Sequence, residues 1–260
     1  MKLITVDHQA CKRDGMCAEV CPVGCIGFDA EGFPQDAFTD FCNGCGHCMA
    51  VCPSGAIANS RLDAAGFAPA PENLPDAQAV RQLMLSRRSV RAYKDKPVDA
   101  GTMAGLLDTA RYAPTAVNSQ KVFFTACLDP AKTREAARLS VDWLRGSGVY
   151  PHLVQAWDAG REVVLRGAPA FVVASSPSDY SWGETDCVIA LSYLELAAAS
   201  AGLGACWAGL LTRAAKLNPA LAGFLGLEEG QTLHGGLMLG YPKYRYRMIP
   251  PRQAAKVAWL

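Results

Sequence analysis

Residues 2–7 alternate weakly between apolar and polar and read as a short strand. Residues 28–41, with Gly32 and Pro34, read as a turn and a return strand. From Arg61 to Pro75 the chain runs R-L-D-A-A-G-F-A-P-A-P-E-N-L-P, with no period and several prolines, the pattern of a semi-rigid linker. Helical spacing then takes over. Asp76 caps a helix predicted to reach Ser86, with Val80, Leu83 and Met84 on one face, and Asp99 caps a second carrying Leu106, Leu107 and Ala110 and ended by Pro114. Lys121–Leu128 and Ala168–Ser175 read as buried strands, and residues 130–145 and 152–165 as helices. Asp186–Ala201 is almost wholly apolar at helical length, which predicts a central buried helix, with Gly202 at its left-handed end. A short strand near 204–208, a helix near 213–225 and a strand near 233–240 complete the chain. This irregular order of strands and helices argues α+β over a doubly wound sheet. The expected division is residues 1–60, a linker 61–77, and a larger domain 78–260.

Charge narrows the partners. Lysine and arginine number 25 against 24 acidic residues, a net +1, so no field favours nucleic acid or an acidic membrane. No apolar run reaches the length of a signal peptide or a membrane span, and no G-x-G-x-x-G opens a βαβ unit. Eleven cysteines would suit a secreted disulfide scaffold, but seven of them fall into two spaced motifs. Cys25, Cys127, Cys187 and Cys206 are scattered. That usage predicts a reducing cytoplasm.

The denser motif is F-C-N-G-C-G-H-C-M-A-V-C-P, holding Cys42, Cys45, Cys48 and Cys52 in the spacing C-x2-C-x2-C-x3-C-P. Such spacing wraps three thiolates round one iron–sulfur cube and sends the fourth to a second. A zinc site has no use for the third close cysteine or the proline. Moved back by 31 residues, the motif lands on Cys11, Asp14, Cys17 and Cys21, and Gly15, Val20, Gly24 and Ile26 match Gly46, Val51, Gly55 and Ile57. This internal repeat resembles the duplicated bacterial two-cluster ferredoxins over residues 1–60. The resemblance implies one 4Fe–4S cluster on Cys42, Cys45, Cys48 and the crossing Cys21. The second falls to Cys11, Cys17 and the crossing Cys52, with Asp14 in place of a cysteine. A carboxylate is a harder ligand than a thiolate and holds that iron more weakly. Three outcomes stay open: Asp14 ligates, the corner iron is lost to leave 3Fe–4S, or Cys25 moves in. The plainer reading of Cys25, a small buried residue beside a cluster, is preferred. His47 reads as a solvent-facing bystander.

The second constellation is S-R-R-S-V-R-A-Y. Arg87, Arg88, Ser89 and Arg91 gather guanidiniums suited to a phosphate, although a basic run alone is more often a solvated face. Together with A-P-T-A-V-N-S-Q (Ala113–Gln120), A-G-L-G-A-C-W-A-G (Ala201–Gly209) and L-G-Y-P (Leu239–Pro242), it resembles the FMN-dependent nitroreductases over residues 78–260. That likeness implies a mixed sheet flanked by helices, an interlocked homodimer and one FMN in each of two interfacial pockets. By the same likeness, Arg87, Arg88, Ser89 and Arg91 hold the phosphate and ribityl chain, joined by Arg252 and Arg247 from the tail. Pro114, Thr115 and Ala116 line the flavin from the partner, and Asn118 and Gln120 hydrogen-bond it. The Gly209 N–H points at flavin N5, where a backbone donor steadies charge without blocking substrate. Ala208 departs from members with glutamate there. Trp182 and Trp207 read as core aromatics.

These readings join into an iron–sulfur flavoprotein oxidoreductase. Electrons from a ferredoxin or another donor pass one at a time through the clusters to FMN and on to a small organic acceptor, a nitro compound or quinone. The rivals are an electron carrier or redox sensor with little turnover, and other family chemistry such as reductive dehalogenation or oxygen-dependent flavin cleavage. The latter depends on a lid, expected over residues 139–167.

Overall fold

A computed structural model describes residues 2–260. The chain separates into two compact units: one holds the residues up to Leu74 together with Val117–Ser119, and the other holds Pro75–Ala116 with Gln120–Leu260.

The first unit is built twice from the same short pattern. Strands β1 (Ile4–Val6) and β4 (Ile57–Asn59) pair antiparallel, as do β2 (Ile26–Phe28) and β3 (Pro34–Asp36). One-turn helices α1 (Met16–Glu19) and α2 (His47–Ala50) each place a cysteine second, Cys17 and Cys48, and both cysteines are buried. Each helix is entered through a left-handed glycine, Gly15 at φ 79° and Gly46 at φ 77°, a conformation a side chain would resist. The 31-residue sequence repeat is therefore a backbone repeat as well. The Asp36 carboxylate accepts from the N–H groups of Leu3 and Ile4 at 2.9 Å each, tying β1 to β3. Residues 61–67, expected to begin a linker, fold back here. Arg61 donates to the carbonyls of Cys42 and Thr39, and a Cβ on Gly46 would meet the Phe67 ring at 3.0 Å.

The second unit centres on a sheet in the order β5-β6-β8-β7, all neighbours antiparallel. Its strands are β5 (Phe123–Cys127), β6 (Ala170–Pro177), β7 (Gly204–Trp207) and β8 (Gln231–Gly240). Alternation fills both faces. Phe171, Val173 and Met238 enter one core with α5 (Pro130–Ser147), α8 (Gly209–Ala215) and α9 (Pro219–Phe224). Ala170, Val172, Leu237 and Leu239 enter the other with α4 (Ala100–Ala110) and α7 (Gly183–Ser200). The predicted caps form: Asp76 accepts from Ala79 N–H ahead of α3 (Ala77–Ser86), and Asp99 from Thr102 N–H, each at 2.8 Å. Gly202 takes the left-handed conformation at φ 76°.

Three expectations need correction. Strand β5 is not buried: it pairs with β6 alone at the sheet edge, and Phe123 is 50% exposed. The helix expected over 152–165 is α6 (Pro151–Asp158) and stops seven residues short. The helix expected over 213–225 is two, because Pro219 opens α9 behind an Asn218 cap that accepts from Ala220 N–H. The segment 139–167, where a lid is expected, sends Val141, Leu144, Ala156, Val164 and Leu165 into the core, while over half of its residues are exposed. Among the described residues no helix is long and apolar enough to cross a membrane.

Candidate functional site

Each half of the first unit closes round a small cavity. Cys21, Cys42, Cys45 and Cys48 line one, with Leu3, Ile4 and Asn59. Cys11, Asp14, Cys17 and Cys52 line the other, with Val6 and Pro34. Each half thus contributes one cysteine to the cavity of the opposite half, the grouping expected for two clusters. Among the described residues no three His, Cys, Asp or Glu side chains converge as one metal ion requires. Thiols that stand round a cavity suit a cube, which keeps its ligand sulfurs further apart than a tetrahedral zinc does.

The thiols differ by position, and the repeat makes them differ in pairs. Burial raises the pKa of Cys17 and of Cys48, each at its helix. Burial also acts to raise Cys21 and Cys52, but hydrogen-bond donors outweigh it and both are lowered. The donors are backbone N–H groups and the Cys25 thiol at Cys21, and the Ser54 hydroxyl and backbone N–H groups at Cys52. The Cys25 N–H donates to Cys21 Sγ at 3.2 Å and the Ala56 N–H to Cys52 Sγ at 3.3 Å. A lowered pKa favours the thiolate, the form that binds metal, at these two crossing cysteines. Elsewhere, Arg13 N–H donates to Cys11 Sγ and Asn59 Nδ2 to Cys42 Sγ. The residues present fit two clusters.

Cys25 lies in the Cys21–Cys42–Cys45–Cys48 cavity, not beside Asp14. It is 2% exposed, its thiol donates to the Phe38 carbonyl at 3.2 Å, and burial pushes its pKa up to about 11. It is a packed thiol. Asp14 borders the Cys11–Cys17–Cys52 cavity while its Oδ1 accepts from Met16 N–H at 3.2 Å. His47 is exposed.

In the second unit the expected flavin residues fall into two cavities. Arg91 and Gly209 share one with Tyr150, Arg166, Trp207 and Arg213. Arg87 and Arg88 face another, with Lys94, Lys243, Tyr244 and Arg245. Ser89 bridges to Ala205 through its backbone. This segment lies so close to β7 that a Cβ on Gly204 would strike Val90 at 2.5 Å. Arg87 is committed elsewhere: its Nη1 pairs with Glu195 Oε1 at 2.8 Å, and Glu195 is buried. Arg88 donates to the carbonyls of Arg87 and Leu85, while its Nε is buried without a partner among the described residues. An orphaned guanidinium N–H beside a basic cavity, and open space where a Gly209 Cβ would stand, fit an anionic flavin nucleotide.

Pro114, Thr115 and Ala116 line neither cavity. Ala116 N–H is held by the buried Asp186 carboxylate at 3.1 Å, and Asp186 also accepts from Tyr180 OH at 2.6 Å. Gln120 N–H donates to Thr115 Oγ1. Asn118 groups with the first unit and donates there to Asn43 and Gly44 carbonyls. Arg247 and Arg252 lie on an exposed tail. Trp207 and Trp182 are not core: they are 37% and 55% exposed. Sequence reasoning missed Glu195, Asp186, Arg166 and Arg213. Lys243 and Arg245 carried a signal, the alternation Y-P-K-Y-R-Y-R (Tyr241–Arg247).

Fold and cavities together define a redox protein of two modules, a dicluster iron–sulfur unit and an α+β flavoprotein unit. The model of the Nitroreductase family matches residues 84–241, and that of the 4Fe-4S dicluster domain matches residues 3–53. The chain belongs to the nitroreductase family and carries a 4Fe–4S dicluster domain ahead of the family's oxidoreductase domain. A protein of Archaeoglobus fulgidus described as an NADH dehydrogenase/NAD(P)H nitroreductase is 26% identical over 166 residues, 62% of this chain and 84% of its own. A ferredoxin named 7Fe from Hydrogenibacillus schlegelii is 47% identical over 45 residues, 17% of this chain and 55% of its own. Among solved structures, a nitroreductase with bound FMN from Bacteroides fragilis aligns at TM-score 0.61 and 25% identity, covering 70% of this chain and 97% of that one.

Proposed function

We propose that this oxidoreductase takes electrons singly from a low-potential donor through its clusters to FMN, and spends them in pairs on a small organic acceptor, a nitro compound or quinone. One observation carries the reading: two four-ligand cavities, built by a crossed repeat, lie in the same chain as a nitroreductase domain. FMN, when bound, supplies both one- and two-electron transfer, whereas each cluster supplies one. The protein's own part is to hold and orient. Arg88 and Arg91, with Arg87, Ser89, Arg247 and Arg252, would bind the phosphate and ribityl chain. Gly209 would offer its N–H to the ring, Pro114, Thr115 and Ala116 would line the flavin of a second subunit, and Asn118 and Gln120 would hydrogen-bond the flavin or its ribityl chain. Large apolar side chains stand exposed on α3 and α7 (Val80, Met84, Leu85, Val188 and Tyr193), which supports a homodimer. All eleven cysteines are free, in keeping with a reducing cytoplasm.

The site with Asp14 is proposed to hold 3Fe–4S or a labile fourth iron. The similar ferredoxin is named for seven irons, one fewer than two complete cubes. Asp14→Cys should then abolish the 3Fe–4S electron-spin signal seen after mild oxidation, and an undiminished signal would dismiss the idea.

The electron route is tested by stopped-flow bleaching of the flavin. A one-electron donor should reduce FMN quickly in the full chain and slowly in Cys45→Ser. NAD(P)H, the donor in the Archaeoglobus protein's description, bypasses the clusters and should act about equally on both. Equal rates with the one-electron donor would remove the clusters from the route.

A further inference from the structure

Two of the thiolates round the Cys21–Cys42–Cys45–Cys48 cavity come from one very short loop, with only Asn43 and Gly44 between Cys42 and Cys45. Both of these residues give their carbonyl to a single side chain. Asn118 Nδ2 donates to Asn43 O at 3.1 Å and to Gly44 O at 3.2 Å. A carboxamide nitrogen has two N–H bonds to give, and here both are given to adjacent peptides. The loop is braced from its other side by its own chemistry. Cys45 N–H donates to Asn43 Oδ1 at 3.3 Å, and Asn59 Nδ2 reaches Cys42 Sγ at 3.6 Å.

The backbone that presents Asn118 is strained. Val117 and Asn118 are both left-handed, at φ 49° and φ 54°. A β-branched residue rarely adopts such a φ, and two in succession persist only where the surroundings over-determine them. Asparagine tolerates this conformation better than most residues while still offering two donors. The position is therefore matched to its residue in both backbone and side chain.

A trans peptide sets its N–H opposite its C=O. Holding the Asn43 and Gly44 carbonyls from outside thus fixes the Gly44 N–H on the opposite edge of the loop and keeps the Cys45 N–H in place on Asn43 Oδ1. N–H dipoles directed at a cluster stabilise the electron it gains, so a loop free to rock stabilises the reduced form less. We propose that Asn118 is a positioning residue for the cluster held by Cys21, Cys42, Cys45 and Cys48: its amide locks the two peptides between Cys42 and Cys45 and so sets that cluster's potential and its retention. This rests on reading the cavity as a cluster site.

The test uses the full chain, purified anaerobically with its clusters. Asn118→Gly keeps the left-handed backbone and removes only the amide. A redox titration followed by electron-spin resonance should show one cluster shifted to lower potential and the other unmoved, with Asp14→Cys identifying the signal of the other site. Loss of the shifted cluster to an iron chelator should be about tenfold faster, the scale of a lost hydrogen bond to a part-buried acceptor. Should Asn118→Gly fail to accumulate with clusters, Asn118→Asp carries the measurement. It accepts the same backbone but turns a carboxylate toward two carbonyls, so it should shift the same cluster in the same direction. Unchanged potential and release, or equal shifts at both clusters, would overturn the proposal. A wild-type protein without labile sulfide would instead overturn the cluster reading beneath it.

Discussion

The two units make their interiors of different material. In the first, the buried cluster is Leu3, Ile4, Cys17, Cys25, Ile26, Cys48 and Ile57, with Cys21, Cys42 and Cys52 packed against it. Its helices are single turns and its strands three residues long. In the second, two aliphatic cores cover both faces of a sheet, and the candidate flavin residues stand at the margin of an interior that is complete without them. Ligands and core are thus the same residues in one unit and separate residues in the other. A unit of the first kind is stapled by its inorganic groups, and their binding energy is its folding energy. A unit of the second kind folds first and binds afterwards.

The widest test of that contrast is to strip the iron. Chelation under mild oxidation should expose residues 3–60 to protease and collapse their amide signals, because little apolar area remains to offset chain entropy. The helices of the second unit should stay folded, read by circular dichroism. A stripped protein that keeps its N-terminal region protected would show that the small core suffices alone.

The reverse experiment opens a cavity in the second unit. Leu237 is fully buried on β8 among Leu191, Leu194 and Val172. Leu237→Ala should cost about 2–5 kcal/mol in denaturant unfolding of that unit. The cluster electron-spin signals should not change, since no thiol ligand shares that core. A joint loss of both would mean the units fold as one.

A smaller effect separates two arginines that the sequence treats alike. Arg91 lines the cavity with Gly209, so Arg91→Ala should weaken FMN by about 1.5–3 kcal/mol, roughly ten- to a hundred-fold, with stability kept. Arg87→Ala should act on stability first, because it leaves the buried Glu195 carboxylate without its guanidinium. Flavin titration and denaturant melts of both variants decide it. Equal loss of flavin with equal stability would make phosphate binding, and not the pair with Glu195, the main role of Arg87.

How far each unit could be read from sequence follows from the same contrast. Cluster ligation demands fixed spacings, so Cys11–Cys21 and Cys42–Cys52 declared the first unit's site, and the glycine-led repeat declared its backbone. Helix caps were equally plain, since Asp76 and Asp99 act within three residues of themselves. What escaped was long-range. Glu195 meets Arg87 across 108 positions and Asp186 meets Ala116 across 70, and no local pattern marks either partner. Edge position hid the exposure of β5, whose apolar run looks like a buried strand whatever lies beside it. The exposure of Trp207 and Trp182 was hidden in the same way, since composition gives an aromatic's size and not its place.

The smallest expected effect is a titration confined to the second unit. His234 lies on β8 with Nε2 2.9 Å from Ser176 Oγ on β6. Burial lowers its pKa, the Lys216 charge lowers it further, and Glu184 partly opposes them. The folded protein therefore favours the neutral ring. Between the lowered pKa and the ordinary histidine value of about 6.5, the unfolded chain binds more protons than the folded one. Stability should accordingly be intact above about pH 6.5 and decline as the pH falls through that value, levelling off below the folded pKa. His234→Gln, which cannot titrate but can still meet Ser176, should flatten this slope when urea midpoints are measured from pH 7.5 to 5. The helical signal of the second unit reports the transition, while the cluster absorbance monitors the first. If the slope survives in His234→Gln, acid sensitivity arises elsewhere. If it survives only in the cluster absorbance, the iron-bound unit is the acid-labile one.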